Sequence, residues 1–379
     1  MTPEFQLLCR CCHTRLDAGR IAAIRRLLQE PVDFDELLRL AQRHGVVPLL
    51  YQSLSALGTD LVPEPVLARL HAHSVLNLSL NRALAAELPA ILHLLDNHQV
   101  PALPFKGPLL AQTVYGSLAL RKAGDLDLLL RRGDALPAAT LLQAAGYTLD
   151  DSEQDELRLK HTSRHTVVEL RWSLASPHFL TPLRFDFFWP SRVHRILNGS
   201  SVPGLPPEED LLILCVHGAR HCWSRLMWIC DLAELLRAFP GLDGVRLGHL
   251  ARRAGVTRAV TLGLILAQNL LGADLPPSLR AACSSRGPQL IAQAVETHIG
   301  APTAATTYLD HCRCRTFDPA LLDSFPHRFW RGLCRICRKL PPNERDIRLL
   351  PLPPRYRFLL YLVRPLRLVA EFLSPPRRA

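Results

Sequence analysis

The stretch that decides the interpretation of this chain is 103-LPFKGPLLAQTVYGSLALRKAGDLDLLL-130. It ends with Asp125 and Asp127 in a run of leucines, and residues two apart on a β-strand point to the same face of a sheet. Two like charges on a buried strand repel each other and lose hydration, so stability alone does not explain them. Mg²⁺ relieves this conflict because it prefers oxygen ligands and commonly uses one or two carboxylates plus substrate phosphates. The stretch therefore predicts a metal-dependent site for phosphate chemistry.

The beginning of the same stretch predicts a phosphate-binding turn. Residues 100–105 have the pattern of a short strand, Gly107 ends it, and Pro108 suits the first turn of a helix over about 108–115. A glycine turn that leads into a helix presents free backbone N–H groups and the positive end of the helix to an anion. We therefore expect a phosphate cradle close to the aspartates.

A third acid, Glu169, lies in the alternating segment 166–174, which predicts a further strand. Two interpretations are open. Glu169 is either a third carboxylate brought beside Asp125 and Asp127 on an adjacent strand, or a solvent-face residue paired with Arg171.

The pattern around these strands predicts an α+β fold. A small mixed-sheet core, 96–200, is flanked by an N-terminal helical region, 1–95, and by a helical C-terminal domain with a basic tail, 201–379. Within the core, the strand 126–130 precedes a helix over about 135–145, which Gly146 ends.

The segment 207–239 is interpreted as one helix with acids in its first turn and Arg237 in its last. At 100° per residue, six of its polar side chains and one tryptophan fall within an arc of about 120°. These residues are Asp210, His217, His221, Ser224, Arg225, Trp228 and Asp231. The stripe is either the solvated side of an amphipathic helix or the lining of a cleft opposite the carboxylates.

Charge and hydropathy limit the classes of partner. The excess of 45 Lys and Arg over 34 Asp and Glu gives a net charge of +11, which suits nucleotides, nucleic acid or membrane surfaces. Nucleic-acid binding is disfavoured, because neither a basic strand with interleaved aromatics nor a recognition helix is visible.

Without a secretory signal or an apolar run of about 20 residues, we expect a cytoplasmic protein with no transmembrane segment. Basic and apolar residues alternate along the tail 348–379, and we expect the tail to pack on the helical domain. A weak contact with a membrane surface is the alternative.

Two groups of cysteines contain residue types found in zinc sites. They are Cys9, Cys11 and Cys12 with His13, and Cys312 and Cys314 with Cys334 and Cys337. The total of 11 cysteines is odd, no secretory signal is visible, and the spacings are looser than in common zinc motifs. Free thiols are the favoured interpretation.

Together these residues resemble a poorly characterised group of bacterial nucleotidyltransferases in the DNA-polymerase-beta superfamily. The superfamily pattern is a glycine turn at a helix start, an Asp-x-Asp pair on a strand and a third acid on a later strand. Gly107, the pair Asp125 and Asp127, and Glu169 match these parts. The closer resemblance to the group rests on further residues between about 40 and 275: Lys106, Tyr115, Arg121, the sequence VEL at 168–170 and the block from His217 to Asp231.

The chain departs from this family pattern at three places. Its turn reads Lys-Gly-Pro instead of Gly-Ser or Gly-Gly, and 17 residues separate Gly107 from Asp125, which is more than usual. Arg171 stands where the group more often has histidine.

The resemblance implies transfer of a nucleoside monophosphate from a nucleoside triphosphate, favoured as ATP, to an acceptor hydroxyl, with pyrophosphate leaving. It implies two Mg²⁺ ions, or Mn²⁺, on Asp125 and Asp127, with Glu169 binding the ion nearer the acceptor and helping to deprotonate the hydroxyl. The nucleotide-binding residues implied are Lys106, Gly107, Arg121, His217, His221 and Asp231. The acceptor, a small molecule, peptide or protein, is open. The alternative function is a catalytically degenerate fold that binds a nucleotide or a partner.

Overall fold

The computed structural model describes residues 1–58, 60–153, 155–164, 166–174 and 183–301. Five helices precede the first strand: α1 (Pro3–Cys11), α2 (Ala18–Leu27), α3 (Phe34–His44), α4 (Val47–Ser55) and α5 (Glu64–Asn97). The side chains of Thr2, Asp17 and Asp33 accept backbone N–H groups at the starts of α1, α2 and α3. Helix α5 continues through Pro89.

A five-stranded mixed sheet follows. Its strands are β1 (Leu103–Phe105), β2 (Leu126–Leu129), β3 (Tyr147–Glu153), β4 (Glu156–His161) and β5 (Val167–Arg171). They lie in the order β1-β2-β5-β4-β3, in which only β2 and β5 are parallel neighbours. Two helices belong to this region: α6 (Gly107–Val114) and α7 (Ala135–Ala144). The predicted α+β class is confirmed.

The remaining described elements are a hairpin and a set of helices. They are α8 (Phe185–Phe188), β6 (Val193–Leu197), β7 (Ser200–Gly204), α9 (Pro207–Arg220), α10 (Leu226–Ala238), α11 (Gly244–Arg253), α12 (Thr257–Leu271), α13 (Arg280–Cys283) and α14 (Arg286–Ile299). Apolar side chains of α1, α3 and α4 share one core with those of α9, α10 and α12. All described residues belong to one compact unit. The domain boundaries near 95 and 200 stay predictions.

The single helix predicted over 207–239 is wrong. Helices α9 and α10 are separated by a turn in which Cys222 and Trp223 have positive φ angles of 54° and 52°. The Trp223 ring is fully buried and fills space left by Gly218, where an added Cβ would come within 2.3 Å of the ring. Packing of Trp223 against Gly218 and against the distant Gly263 of α12 therefore stabilises a break at which the sequence has neither proline nor glycine.

Alternation along β2 and β5 gives the sheet two different faces. Leu126 and Leu128 of β2 join Val168 and Leu170 of β5 in a core that also contains side chains of α5 and α7. Asp127 and the residues that alternate with these apolar ones face the other side. The sheet thus buries one face in a hydrophobic core and presents the acids on the other.

Several sequence predictions fall outside the described residues. They concern the tail 348–379 and the residues Cys312, Cys314, Cys334 and Cys337. Among the helices that the structure describes, none is long and apolar enough to cross a membrane.

Candidate active site

Three carboxylates line one cavity of about 450 Å³ on the polar face of the sheet. Asp125 directly precedes β2, and Asp127 lies within β2 opposite Glu169 of the parallel strand β5. Asp127 and Glu169 are each only 6% exposed. The prediction that Glu169 lies beside the two aspartates on an adjacent strand is confirmed. The solvent-face alternative is wrong for the position of Glu169, although its pairing with Arg171 is present.

The charges of this group strongly affect the protonation of Asp125. Burial, and then the negative charges of Asp127 and Glu169, raise the pKa of Asp125 to about 7. At neutral pH the Asp125 carboxyl therefore has a poorly stabilised charge. A divalent cation beside it would favour the charged form and lower this pKa.

Arg171 lies at the end of β5 and spans the carboxylate group. Its Nε donates to Asp127 Oδ1 and to Glu169 Oε2, each at 3.2 Å. Its Nη2 also contacts Glu169 Oε2, and its Nη1 pairs with Glu156 Oε2 at 2.6 Å. Burial opposes the charge of Arg171, but Asp127 and Glu169 outweigh burial and raise the pKa of the guanidinium. A fixed positive charge thus lies among the acids.

The carboxylates meet the requirements of Mg²⁺ in part. Across the described ranges, no group of three or more His, Cys, Asp or Glu side chains is arranged to hold a metal ion. Mg²⁺, however, is commonly bound through one or two carboxylates together with substrate phosphates and water. Asp125 and Asp127 supply two acids of the right chemistry at one cavity, and this pair fits such an ion.

The Lys106-Gly107 turn joins β1 to α6 beside the acids. Both residues have positive φ angles, 57° and 49°. The turn comes so near to β2 that a Cβ on Gly107 would lie 3.3 Å from the backbone oxygen of Asp125. Such a conformation costs a non-glycine residue like Lys106 about 1–3 kcal/mol and is typical of functional sites. The turn places the α6 N-terminus at the cavity.

The Lys106 side chain points toward the acids and the opposite side of the cavity. Its Nζ donates to His217 Nδ1 at 2.9 Å and lies 3.8 Å from Asp127 Oδ2. Burial, together with the positive charge of Lys106, holds the pKa of His217 well below its usual range. His217 is therefore neutral and accepts this hydrogen bond.

Arg121 and Asp231 form a buried support behind the turn. Arg121 binds Asp231 through two hydrogen bonds of 2.7 and 2.9 Å, and its Nη1 donates to the Gly107 carbonyl at 3.3 Å. The Tyr115 hydroxyl donates to Asp231 at 2.7 Å. Asp231 is 0% exposed and Arg121 only 5%, and of the two only Arg121 lines the cavity. The geometry gives both a supporting position, and direct contact with a nucleotide stays a prediction for them.

His217, His221 and Trp228 form an aromatic side of the cavity. The ring centres of His221 and Trp228 are 5.1 Å apart, and those of His217 and Trp228 are 5.4 Å apart. Five of the seven residues in the predicted stripe line the cavity: His217, His221, Ser224, Arg225 and Trp228. They meet through the turn between α9 and α10, whereas Asp210 lies elsewhere, near Arg195.

Some cavity residues carried little sequence signal. Lys122, Gly124 and Met227 line the cavity but form no recognisable motif. Arg171 did carry a signal, because it stands two residues after Glu169 on a strand and so shares its face.

The N-terminal cysteines lie away from this cavity. Cys9, Cys11 and Cys12 are buried free thiols of the apolar core. Burial raises the pKa of the Cys9 and Cys11 thiols far above their usual range. His13 is buried too, and its ring contacts Arg20.

A mixed sheet with two acids at the start of one strand, a glycine turn at a helix start and a third acid on the parallel neighbour is consistent with a nucleotidyltransferase core. The chain belongs to a family described as uncharacterised nucleotidyltransferases, whose model matches residues 30–272, well over half of the 379 residues. This range contains every residue that lines the cavity. The family supports nucleotidyl transfer as the general function and a nucleotide as a substrate. Among curated proteins there is no significant match to the chain.

Proposed function

We propose that this protein transfers a nucleoside monophosphate from a nucleoside triphosphate, preferably ATP, to an acceptor hydroxyl with the help of Mg²⁺, releasing pyrophosphate. The observation that carries this proposal is the position of Asp125 and Asp127 beside the Lys106-Gly107 turn in one cavity. A pair of oxygen ligands and a helix N-terminus are complementary to a metal-bound triphosphate.

The residues have separate tasks in this proposal. Asp125 and Asp127 hold Mg²⁺, which when bound supplies charge stabilisation at the transferring phosphate. The Gly107 turn and the Lys106 ammonium bind the triphosphate. Arg121 keeps the turn in place through Gly107, supported by Asp231. Glu169 is the third carboxylate of the group. Because Glu169 accepts a hydrogen bond from Arg171, this contact affects the number of metal ions that the group can bind.

The aromatic side of the cavity is proposed to bind the nucleoside. Trp228 offers a ring face beside His221, and stacking of a base on an aromatic side chain contributes about 1–3 kcal/mol. We expect Trp228→Ala to raise the KM for the triphosphate about tenfold or more, with a smaller change in kcat. Steady-state kinetics with the preferred triphosphate check this, and an unchanged KM would place the base elsewhere.

The direct test is pyrophosphate release from each nucleoside triphosphate in the presence of Mg²⁺ and of pooled candidate acceptors, which are small hydroxyl compounds, peptides and proteins. Release should disappear in Asp125→Ala and in Asp127→Ala and persist in Asp186→Ala, a matched control whose carboxylate forms an exposed pair with Arg131. Mass spectrometry of candidate small molecules, peptides and proteins then identifies which acceptor gains a nucleotide. Full activity in both site variants would contradict the proposal.

A catalytically degenerate nucleotidyltransferase is the second candidate function. The Lys-Gly-Pro turn and the position of Arg171 between Asp127 and Glu169 favour it. It predicts that the protein binds a triphosphate in the same cavity without turnover. Nucleotide binding measured by calorimetry, with no pyrophosphate released over the same period, would support this candidate.

A further inference from the structure

We propose that Arg171 takes the place of one metal ion, so that the carboxylate group binds a single divalent cation on Asp125 and Asp127. Glu169 is then a partner of arginine and not a metal ligand. This inference rests on the proposed function and specifies the number of ions that its site holds.

Both oxygens of Glu169 face guanidinium groups. Oε2 accepts from Nε of Arg171 at 3.2 Å and also contacts its Nη2. Oε1 lies 3.8 Å from Nη1 of Arg158 on β4. The Glu169 carboxylate, which is only 6% exposed, thus has two contacts with Arg171 and the positive charge of Arg158 nearby. Its charge is therefore compensated from within the protein.

The aspartates have fewer contacts with guanidinium groups than Glu169 has. Asp127 Oδ1 accepts one hydrogen bond from Arg171 at 3.2 Å, and Asp127 Oδ2 lies 3.8 Å from the Lys106 ammonium, which the proposed function assigns to the triphosphate. Within the described part of the chain, no ion pair includes Asp125, although Lys106 and Arg171 favour its charge from farther away. One oxygen of Asp127 and the carboxylate of Asp125 are thus left for a cation.

Arg171 is firmly held between the strands. Its side chain is 13% exposed, and a third carboxylate, Glu156, pairs with its Nη1 at 2.6 Å. A guanidinium keeps its charge at all physiological pH values, and its planar fork matches several carboxylates at once. An ion between Asp127 and Glu169 would have to displace this charge from all three of its partners. The position therefore remains occupied by arginine when the metal-bound nucleotide enters.

The test is a count of bound Mn²⁺ ions by electron paramagnetic resonance, with the full chain saturated by a non-hydrolysable ATP analogue. We expect one ion per wild-type chain and no Mn²⁺–Mn²⁺ coupling. Arg171→Gln, which removes the charge but keeps a polar side chain, should admit a second ion, whereas Arg171→Lys should keep the count at one. Thermal unfolding curves establish that each variant is folded.

Two further outcomes make the test independent of the variants at Arg171. Glu169→Gln should still bind one ion, because Glu169 is not a ligand. Two coupled ions in the wild type, or a loss of the bound ion in Glu169→Gln, would overturn the inference, as would a single ion in a folded Arg171→Gln variant. No bound Mn²⁺ in any variant would instead contradict the metal dependence in the proposed function.

Discussion

Two buried charge groups meet at the Gly107 turn, and they are balanced in different ways. On one side, Arg121 binds both oxygens of Asp231, and Tyr115 adds a third hydrogen bond. On the other side, Asp125 stands beside Asp127 and Glu169, and its pKa is raised to about 7 by burial and by these like charges. The protein itself balances the charge of Asp231, whereas it does not fully balance the charge of Asp125.

The difference separates support from function. A buried ion pair with matched geometry fixes a structure, and breaking it leaves an uncompensated charge. Carboxylates whose charge the protein does not balance destabilise the fold and are retained where a ligand balances them. The Arg121–Asp231 pair therefore supports the turn, whereas the unbalanced Asp125 is the acid that, in the proposed function, holds the metal ion together with Asp127.

The largest expected effect follows from Asp125→Asn. Because the amide cannot hold Mg²⁺ as a carboxylate does, nucleotidyl transfer should fall about a thousandfold, which corresponds to several kcal/mol of transition-state stabilisation. The same change removes an unbalanced charge, so the free energy of unfolding in EDTA should rise by about 1–2 kcal/mol. Activity assays and denaturant titrations measure the two effects. If the Asp125→Asn variant were less stable and fully active, Asp125 would have a structural role and not the proposed role in metal binding.

Asp231→Asn should have the opposite balance of effects. It leaves Arg121 buried without its counter-charge, and the free energy of unfolding should fall by about 3–5 kcal/mol. Urea titration measures the loss. Asp186→Asn is the matched control, because its pair with Arg131 is exposed, and a change below about 0.5 kcal/mol is expected there. Equal stability of the Asp231→Asn and Asp186→Asn variants would contradict a structural role for Asp231.

Packing, not charge, is expected to hold the histidine side of the cavity. In Gly218→Ala the new Cβ would overlap the buried Trp223 ring, which should cost about 1–3 kcal/mol and displace His217 and His221. Gly287→Ala in α14 is the control, since a Cβ there meets nothing within 4 Å. Chemical denaturation of both variants measures the difference. Equal stability would show that the turn yields without strain.

The fourth effect concerns Asp210, an acid that lies outside the cavity. Burial raises its pKa to about 7, and the charge of Arg195 offsets this only in part. Since the folded protein keeps this proton up to about pH 7 and the unfolded chain loses it near pH 4, the destabilisation grows as the pH rises from 4 to 7. Asp210→Asn should therefore be more stable than wild type at pH 8, by up to about 4 kcal/mol, and close to it in stability near pH 4. Thermal unfolding at both pH values tests the sign.

The fold and the acids followed from local patterns. Period-two alternation in β2 and β5 placed Asp127 and Glu169 on the face opposite the leucines, and Gly107 marked the start of α6. Helix α3 begins directly after Asp33 and ends directly before Gly45, and both residue types are typical of helix ends. These features depend on neighbours within a few residues, so the sequence is sufficient to predict them.

The missed features depend on distant contacts. The break between α9 and α10 requires Trp223 to pack against Gly218 and Gly263, the latter on α12. Arg121 meets Asp231 across 110 positions, and no local pattern in the sequence predicts that these two residues pair. Helical periodicity reflects only residues close in sequence, so it cannot reveal such contacts. It therefore predicted one continuous helix over 207–239.

The most direct test of the central claim is the position of an ion in crystals grown with Mn²⁺ and a non-hydrolysable ATP analogue. Anomalous scattering should place Mn²⁺ against the carboxylates of both Asp125 and Asp127, bridged to the phosphates, with Arg171 still paired to Glu169. An ion bound away from these aspartates, or a triphosphate bound in another cavity, would contradict the account.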